Sequence, residues 1–199
     1  MRLRFFWIVI AAIVLLLLIT MLFLGFNKPK TSNTIKTNKT IVMADYANAD
    51  ATVSYTVDGI TNGNEQHRAI KITVTKKSRM LEIKEGYQGA NLQSNSFTNN
   101  QDAFKAFLAS IQNTGYLIES NAKTKKGTII NTNIQGQCPL GQKYLFNTYG
   151  ISGATSFLWT SSCLVAPGTF GGNLKSTQKL FQLQIPNYDT LVKGINLNK

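Results

Sequence analysis

Residues 70–84 read IKITVTKKSRMLEIK. Ile70, Ile72 and Val74 alternate with Lys71, Thr73 and Thr75. Leu81 and Ile83 alternate with Glu82 and Lys84. A period of two puts the apolar set on one face and the polar set on the other, which is the pattern of a half-buried strand. Lys76-Lys77-Ser78 is short enough to close a hairpin between the two runs. The stretch therefore predicts an antiparallel sheet with one wet face.

The same alternation extends outward. Thr52–Val57 places Val53, Tyr55 and Val57 on one side, and Asp58-Gly59 and Asn62-Gly63 supply turn formers before the next run. A fourth strand is expected over Ala90–Phe97. At Asn99–Thr114 the period changes: Ala103, Phe104, Phe107, Leu108 and Ile111 fall on one face at helical spacing. Asn99 or Asn100 can cap this helix, Asp102 suits its first turn and Gly115 ends it. Short strands are expected again at Tyr116–Glu119, Thr128–Ile134, Tyr144–Tyr149 and Phe157–Thr160, with Gly150–Thr155 as a hairpin loop. Leu174, Leu180 and Phe181 suggest a further helix, and Tyr188, Leu191, Val192 and Ile195 a last short one after Pro186. The expected fold class is α+β. It has an antiparallel sheet of about six or seven short strands, one central packed helix, one or two C-terminal helices and an N-terminal transmembrane helix.

That transmembrane expectation rests on Phe5–Phe26, FFWIVIAAIVLLLLITMLFLGF, which has no charge and Thr20 as its one polar side chain. At 1.5 Å per residue the run spans about 33 Å as a helix, enough to cross a hydrocarbon core. It is longer than a signal-peptide core, and its exit, Leu24-Gly25-Phe26-Asn27-Lys28, has no Ala-x-Ala site. It reads as an uncleaved anchor. Arg2 and Arg4 before it and Lys28 and Lys30 after it give no clean positive-inside bias. A long C-terminal domain translocates largely regardless of such charge, so the expected topology is single-pass in the cytoplasmic membrane with the domain outside. The organisation is a cytoplasmic stub at 1–4, an anchor at 5–26, a linker at 27–40 and an extracytoplasmic α+β domain at 41–199. The linker, NKPKTSNTIKTNKT, has no acid and one isolated apolar residue, Ile35. It can bury nothing and has a root-mean-square reach of about 20 Å.

The chain carries 21 basic and nine acidic residues, a formal net charge of +12. Such a balance attracts polyanions, including nucleic acid, anionic lipid and acidic wall polymers. No basic run exceeds two residues and none is interleaved with aromatics, so no nucleic-acid motif accompanies the charge. The two cysteines, Cys138 and Cys163, form an even count in an exported domain and predict a disulfide. With His67 as the single histidine they are too few for a structural zinc site. No metal or cofactor is expected.

Catalytic constellations are sparse. Trp159-Thr160-Ser161-Ser162-Cys163 loosely resembles the Thr-Leu-x-Thr-Cys strand of sortases, with His67 upstream. The resemblance covers about five residues, and no arginine follows Cys163 to hold charge at an oxyanion. The Ser-x-Gly-Cys core of an L,D-transpeptidase and the Gly-x-Ser-x-Gly of a serine hydrolase are both missing. His67, in Glu65-Gln66-His67-Arg68, reads as a surface or edge histidine. Glu82 and Glu85 read as solvated strand-edge carboxylates, although a carboxylate pair for glycoside hydrolysis stays open among nine acids. Pro167–Asn173 is glycine-rich before a helix but lacks the Gly-Lys-Ser/Thr ending of a phosphate loop.

Several strings taken together, Ala44-Asp45-Tyr46, Asp58-Gly59, His67-Arg68-Ala69-Ile70, Gly86-Tyr87-Gln88-Gly89 and Gln184-Ile185-Pro186-Asn187-Tyr188, carry a wider likeness. They resemble a group of single-anchor exported proteins of Saccharibacteria and related reduced-genome bacteria. The group has no assigned activity, so no functional residue can be carried over. The resemblance implies a cell-surface protein facing a host or the wall. The functional expectation is a membrane-anchored binding or interaction module whose partner is a protein or an acidic surface polymer. Extracellular polyanion binding and an enzyme acting on wall polymers are the alternatives.

Overall fold

The computed structural model describes residues 41–120, 134, 136–151, 154–163 and 168–198. The Phe5–Phe26 span, the linker and all but Ile134 of the expected Thr128–Ile134 strand lie outside them. Among the described residues no helix is long and apolar enough to cross a membrane. Thr40–Lys199 makes up one unit by its internal contacts.

Six strands form: β1 (Thr52–Asp58), β2 (Arg68–Thr75), β3 (Ser78–Glu85), β4 (Ala90–Thr98), β5 (Lys143–Ile151) and β6 (Ala154–Ser161). They make one antiparallel sheet of order β4-β3-β2-β1-β5-β6. The β2–β3 connection contains no glycine. Instead, Thr75 Oγ1 accepts from the backbone N–H groups of Lys77 and Ser78, at 3.2 and 3.0 Å. A side-chain turn of this kind does locally what a glycine's conformational freedom would otherwise do. The β5–β6 hairpin is tighter than its Gly150–Thr155 expectation, since β5 runs to Ile151 and Ile151 pairs with Ala154.

Register follows from the alternation. Val53, Tyr55 and Val57 stand opposite Val74, Ile72 and Ile70 on one side and Thr148, Phe146 and Tyr144 on the other. A slip by one residue would turn this whole set to solvent. The first helix, α1 (Gln101–Asn113), is capped by Asn100, whose side chain accepts from Ala103 N at 2.9 Å. It buries Phe104, Phe107, Leu108 and Ile111, whereas Ala103 is exposed. Asn173 caps α2 (Leu174–Gln182) in the same way through Ser176 N. A short α3 (Tyr188–Leu191) follows, and Val192 and Ile195 lie beyond its end. A 3-10 turn at Met43–Asn48 lies against α1, with Met43 fully buried.

Between helices and sheet sits a chain of rings. Phe107 meets Phe181 of α2 edge-on at 5.2 Å, and Phe181 lies 5.6 Å from Tyr55 and 5.7 Å from Tyr116. Tyr55 stacks on Phe146 at 5.5 Å and Phe146 on Phe170 at 4.1 Å. Burial of each such side chain is worth about 1.5–3 kcal/mol, and the ring geometry adds to that.

The structure corrects the expectations for Tyr116–Glu119 and for Glu82. Tyr116–Glu119 is not a strand. Gly115 takes φ +81°, Ile118 N bonds back to Gly115 O, and Glu119 alone bridges Phe170. Tyr116 turns inward, and its hydroxyl donates to the Ser54 and Asn147 carbonyls at 2.9 Å each. Glu82 is not solvated. It is 8% exposed, lies opposite Lys71 in the register, and holds Lys84 Nζ at 3.4 Å.

Candidate binding surface

One end of the sheet gathers its connecting loops. The β1–β2 loop (59–67), the β3–β4 turn (86–89), the segment entering β5 (136–142), the segment leaving β6 (162–163) and the C-terminal residues 194–198 meet there. The β1–β2 loop must leave β1 through a tight passage. A Cβ on Gly59 would lie 2.8 Å from Arg68 O and 3.0 Å from Leu197 O, so a side chain has no room. Gly86 takes φ +70°, and a Cβ there would meet Asn64 Oδ1 at 2.8 Å.

The loops are tied to one another. Thr61 N donates to Pro139 O at 2.7 Å, and Ile60 N to Leu197 O at 3.0 Å. Gly86 N donates to His67 O at 3.0 Å. Tyr87 is held three ways: its N–H donates to Asn64 Oδ1, its hydroxyl donates to Asn62 O, and the same hydroxyl accepts from Asn62 N. Gln142 N donates to Ser162 Oγ, and Gln142 Nε2 to Asn198 Oδ1, both at 2.9 Å. Cys138 and Cys163 are joined in a disulfide across this end, with their Cα atoms 5.6 Å apart. Replacing both cysteines by serine should lower the unfolding free energy by about 3–4 kcal/mol, the loop-entropy value for a closure of this length. Denaturant melts of the wild-type and double-serine proteins check this; coincident curves would mean that the bridge constrains nothing.

A charged knot lies beneath the loops. Asp58 at the end of β1 holds His67 Nε2 at 2.9 Å through Oδ1 and Lys143 Nζ at 3.2 Å through Oδ2. His67 Nδ1 faces Ile60 O at 3.1 Å, and the ring stacks on Tyr87 with centroids 4.1 Å apart. His67 is therefore no surface histidine; it is 3% exposed. Its β1–β2 loop folds back, and the ring fills the space under Tyr87. Both ring nitrogens are within hydrogen-bond distance of oxygens of the chain and the ring is buried, so neither nitrogen is presented to a substrate. With both thiols in the disulfide, the residues of the sortase-like string and His67 do not form a nucleophile–base pair. Among the described residues no three of His, Cys, Asp and Glu converge as metal ligands.

Among exposed polar residues such as Asn64, Glu65, Gln66 and Gln88, this end presents two large apolar side chains outward. Leu140, between Pro139 and Gly141 on the disulfide-tied segment, is 86% exposed, and Tyr87 is 54% exposed on its fixed turn. Beside them is an open cleft of about 500 Å³ lined by Glu65, Gln66, Arg68, Gly194, Ile195 and Asn196. The Arg68 guanidinium in that cleft is occupied, by Glu85 at 2.8 Å and by the carbonyls of Glu65 and His67. Sequence reasoning passed over Leu140, Tyr87 and the Asp58–Lys143 pair. The available signals were Gly86-Tyr87-Gln88-Gly89, an aromatic inside a glycine turn, and Cys138-Pro139-Leu140-Gly141, a leucine where a turn needs none.

The described residues include eleven basic and nine acidic side chains, close to balance. The excess belongs to residues outside them, including Lys28, Lys30, Lys36 and Lys39, and Lys123, Lys125 and Lys126. No protein-family profile matches this chain, and no curated protein is detectably similar to it.

Proposed function

We propose that this chain is a membrane-tethered binding module, anchored by Phe5–Phe26 with its α+β domain outside the cytoplasmic membrane. It recognises a protein partner through the loop end of the sheet. The observation that carries this reading is the pairing of exposure with rigidity: Leu140 and Tyr87 stand out into solvent on loops fixed by a disulfide and side-chain hydrogen bonds. Exposed apolar anchors on a pre-ordered surface lose little conformational entropy on binding. Loops on a fixed sheet are also where recognition residues concentrate. The disulfide suits an oxidising compartment. The likeness to exported single-anchor proteins supports the same setting.

The test places a photoreactive residue at position 140, or at Lys105 on α1, in the full chain in its own cells. Position 140 should cross-link to a distinct protein and Lys105 should not. Leu140→Asp should weaken capture of that protein by about 2 kcal/mol or more, as loss of a central anchor does. Equal labelling at both positions would end the reading. Cross-links to nucleic acid or wall polymer that vanish with salt would instead support the polyanion alternative, which the lysines at 28–39 and 123–126 favour.

A further inference from the structure

His67 is the one histidine of the chain, and its ring is buried with an oxygen at each nitrogen. Nε2 lies 2.9 Å from Asp58 Oδ1, and Nδ1 lies 3.1 Å from Ile60 O. The peptide carbonyl can only accept a hydrogen bond. Asp58 meets the Lys143 ammonium at 3.2 Å through Oδ2, so it is an ionised carboxylate that accepts at both oxygens. A neutral imidazole carries one N–H. It can serve one of the two facing oxygens and must turn a lone pair toward the other. The imidazolium carries two N–H groups and serves both. Burial sharpens the difference, because a bare ring nitrogen in this position has no water to turn to.

We propose that the loop end is latched by a proton: the His67 imidazolium ties Asp58 to the Ile60 carbonyl, and loss of that proton frees the β1–β2 loop and Tyr87. Three links pass through this residue. The Nδ1 bond to Ile60 O closes the loop from residue 60 to residue 67. The ring face carries Tyr87, with centroids 4.1 Å and planes 12° apart. A positive ring over a tyrosine face is attracted by the negative quadrupole of that face. The His67 carbonyl takes Gly86 N at 3.0 Å, at the start of the turn that bears Tyr87. The first two links weaken when the ring loses its charge. The surrounding charges set the direction. Asp58 of β1 is the carboxylate that meets the ring, and Lys143 of β5 opposes the imidazolium from the far oxygen of Asp58. Arg68, next along β2, is paired with Glu85 of β3 at 2.8 Å, and Lys84 of β3 is held by Glu82 and Asn91. The Glu65 side chain is exposed. The 86–89 turn brings the Tyr87 phenol, and residues 136–142 and 194–198 bring no free ionisable side chain, because Cys138 is in the disulfide. The latch thus holds in acid and opens as pH rises. It belongs to the chain alone; only its effect on a partner rests on the loop-end reading.

The experiment is nuclear magnetic resonance on the full chain in detergent micelles, with isotope-labelled histidine and tyrosine, followed from about pH 5 to 9. At the acid end both His67 nitrogens should carry hydrogen. As the pH rises one should become bare, and the Tyr87 ring signals, identified by their loss in Tyr87→Phe, should shift with the same midpoint. Over that step, exchange of the Ile60 and Gly86 amides should speed up by about tenfold beyond its intrinsic pH dependence, as loss of one hydrogen bond to a charged group does. Amides of the inner strand β1 report that the domain stays folded. Asp58→Asn keeps an oxygen beside the ring but removes the charge, and should move the step to lower pH. A ring that keeps one state at every pH, bare at one nitrogen or fully protonated, overturns the proposal. So does a ring that loses its proton while Tyr87 and the two amides stay unchanged. These signals need no partner, so they stand apart from the position-140 cross-link.

Discussion

Phe107→Ala should lower the unfolding free energy by roughly 3–5 kcal/mol, the range for truncating a buried aromatic side chain. Phe107 is buried on the inner face of α1 and meets Phe181 edge-on at 5.2 Å. Phe181 is fully buried and touches Tyr55 and Tyr116 in turn. The hole left by truncation is thus walled by side chains that are themselves packed on the sheet, and little of it can close by relaxation. Removing both rings should cost less than the sum of the single truncations, by about 0.5–1.5 kcal/mol, because the edge-to-face contact is lost once. Urea midpoints of the two single variants and the double variant measure this. A Phe107→Ala midpoint equal to wild type would mean that the α1 stripe is not core.

How much of this was legible in the sequence depends on the range of the interaction. Strands β1 to β4 and α1 are built from contacts between neighbouring segments, and period two giving way to helical spacing at Asn99 marks them directly. The Cys138–Cys163 bridge follows from parity and setting alone. Tyr116–Glu119 misled because an aromatic next to aliphatics looks like a strand, whereas the Tyr116 hydroxyl is drawn across to two carbonyls far away in sequence. His67 misled for the same reason: nothing local says that the 59–67 loop folds back to seat it between Asp58 and Tyr87. The candidate surface was the least legible part. Exposure of Leu140 arises from the closing of loops from five parts of the chain, and an isolated leucine in a sequence normally reads as core.

Tyr55 and Tyr116 make stability fall steeply in alkali. Burial pushes both phenols above their ordinary range. Tyr116 also donates to two carbonyl oxygens, which would face an oxyanion if its proton left. Below about pH 10 the folded and unfolded chains both keep these protons, and the two groups add no pH dependence. Above that pH the unfolded chain releases them and the folded chain does not. The unfolded state then binds fewer protons, so stability decreases as pH rises, by about 1.4 kcal/mol per pH unit for each phenol. The pair gives roughly 3 kcal/mol per unit, a loss that continues until the folded-state phenols themselves ionise. Tyr144 and Tyr188, raised by partial burial, act in the same direction. Urea melts taken promptly at several pH values between 8 and 12 should show a flat region and then this slope. Tyr116→Phe should remove about half of the slope. It should also cost about 1–3 kcal/mol at neutral pH, because the Ser54 and Asn147 carbonyls lose a donor. Phenolate absorbance near pH 10 in the folded domain that is reduced by Tyr55→Phe or by Tyr116→Phe would show that the replaced ring ionises in place, and would refute its placement in a water-excluding core.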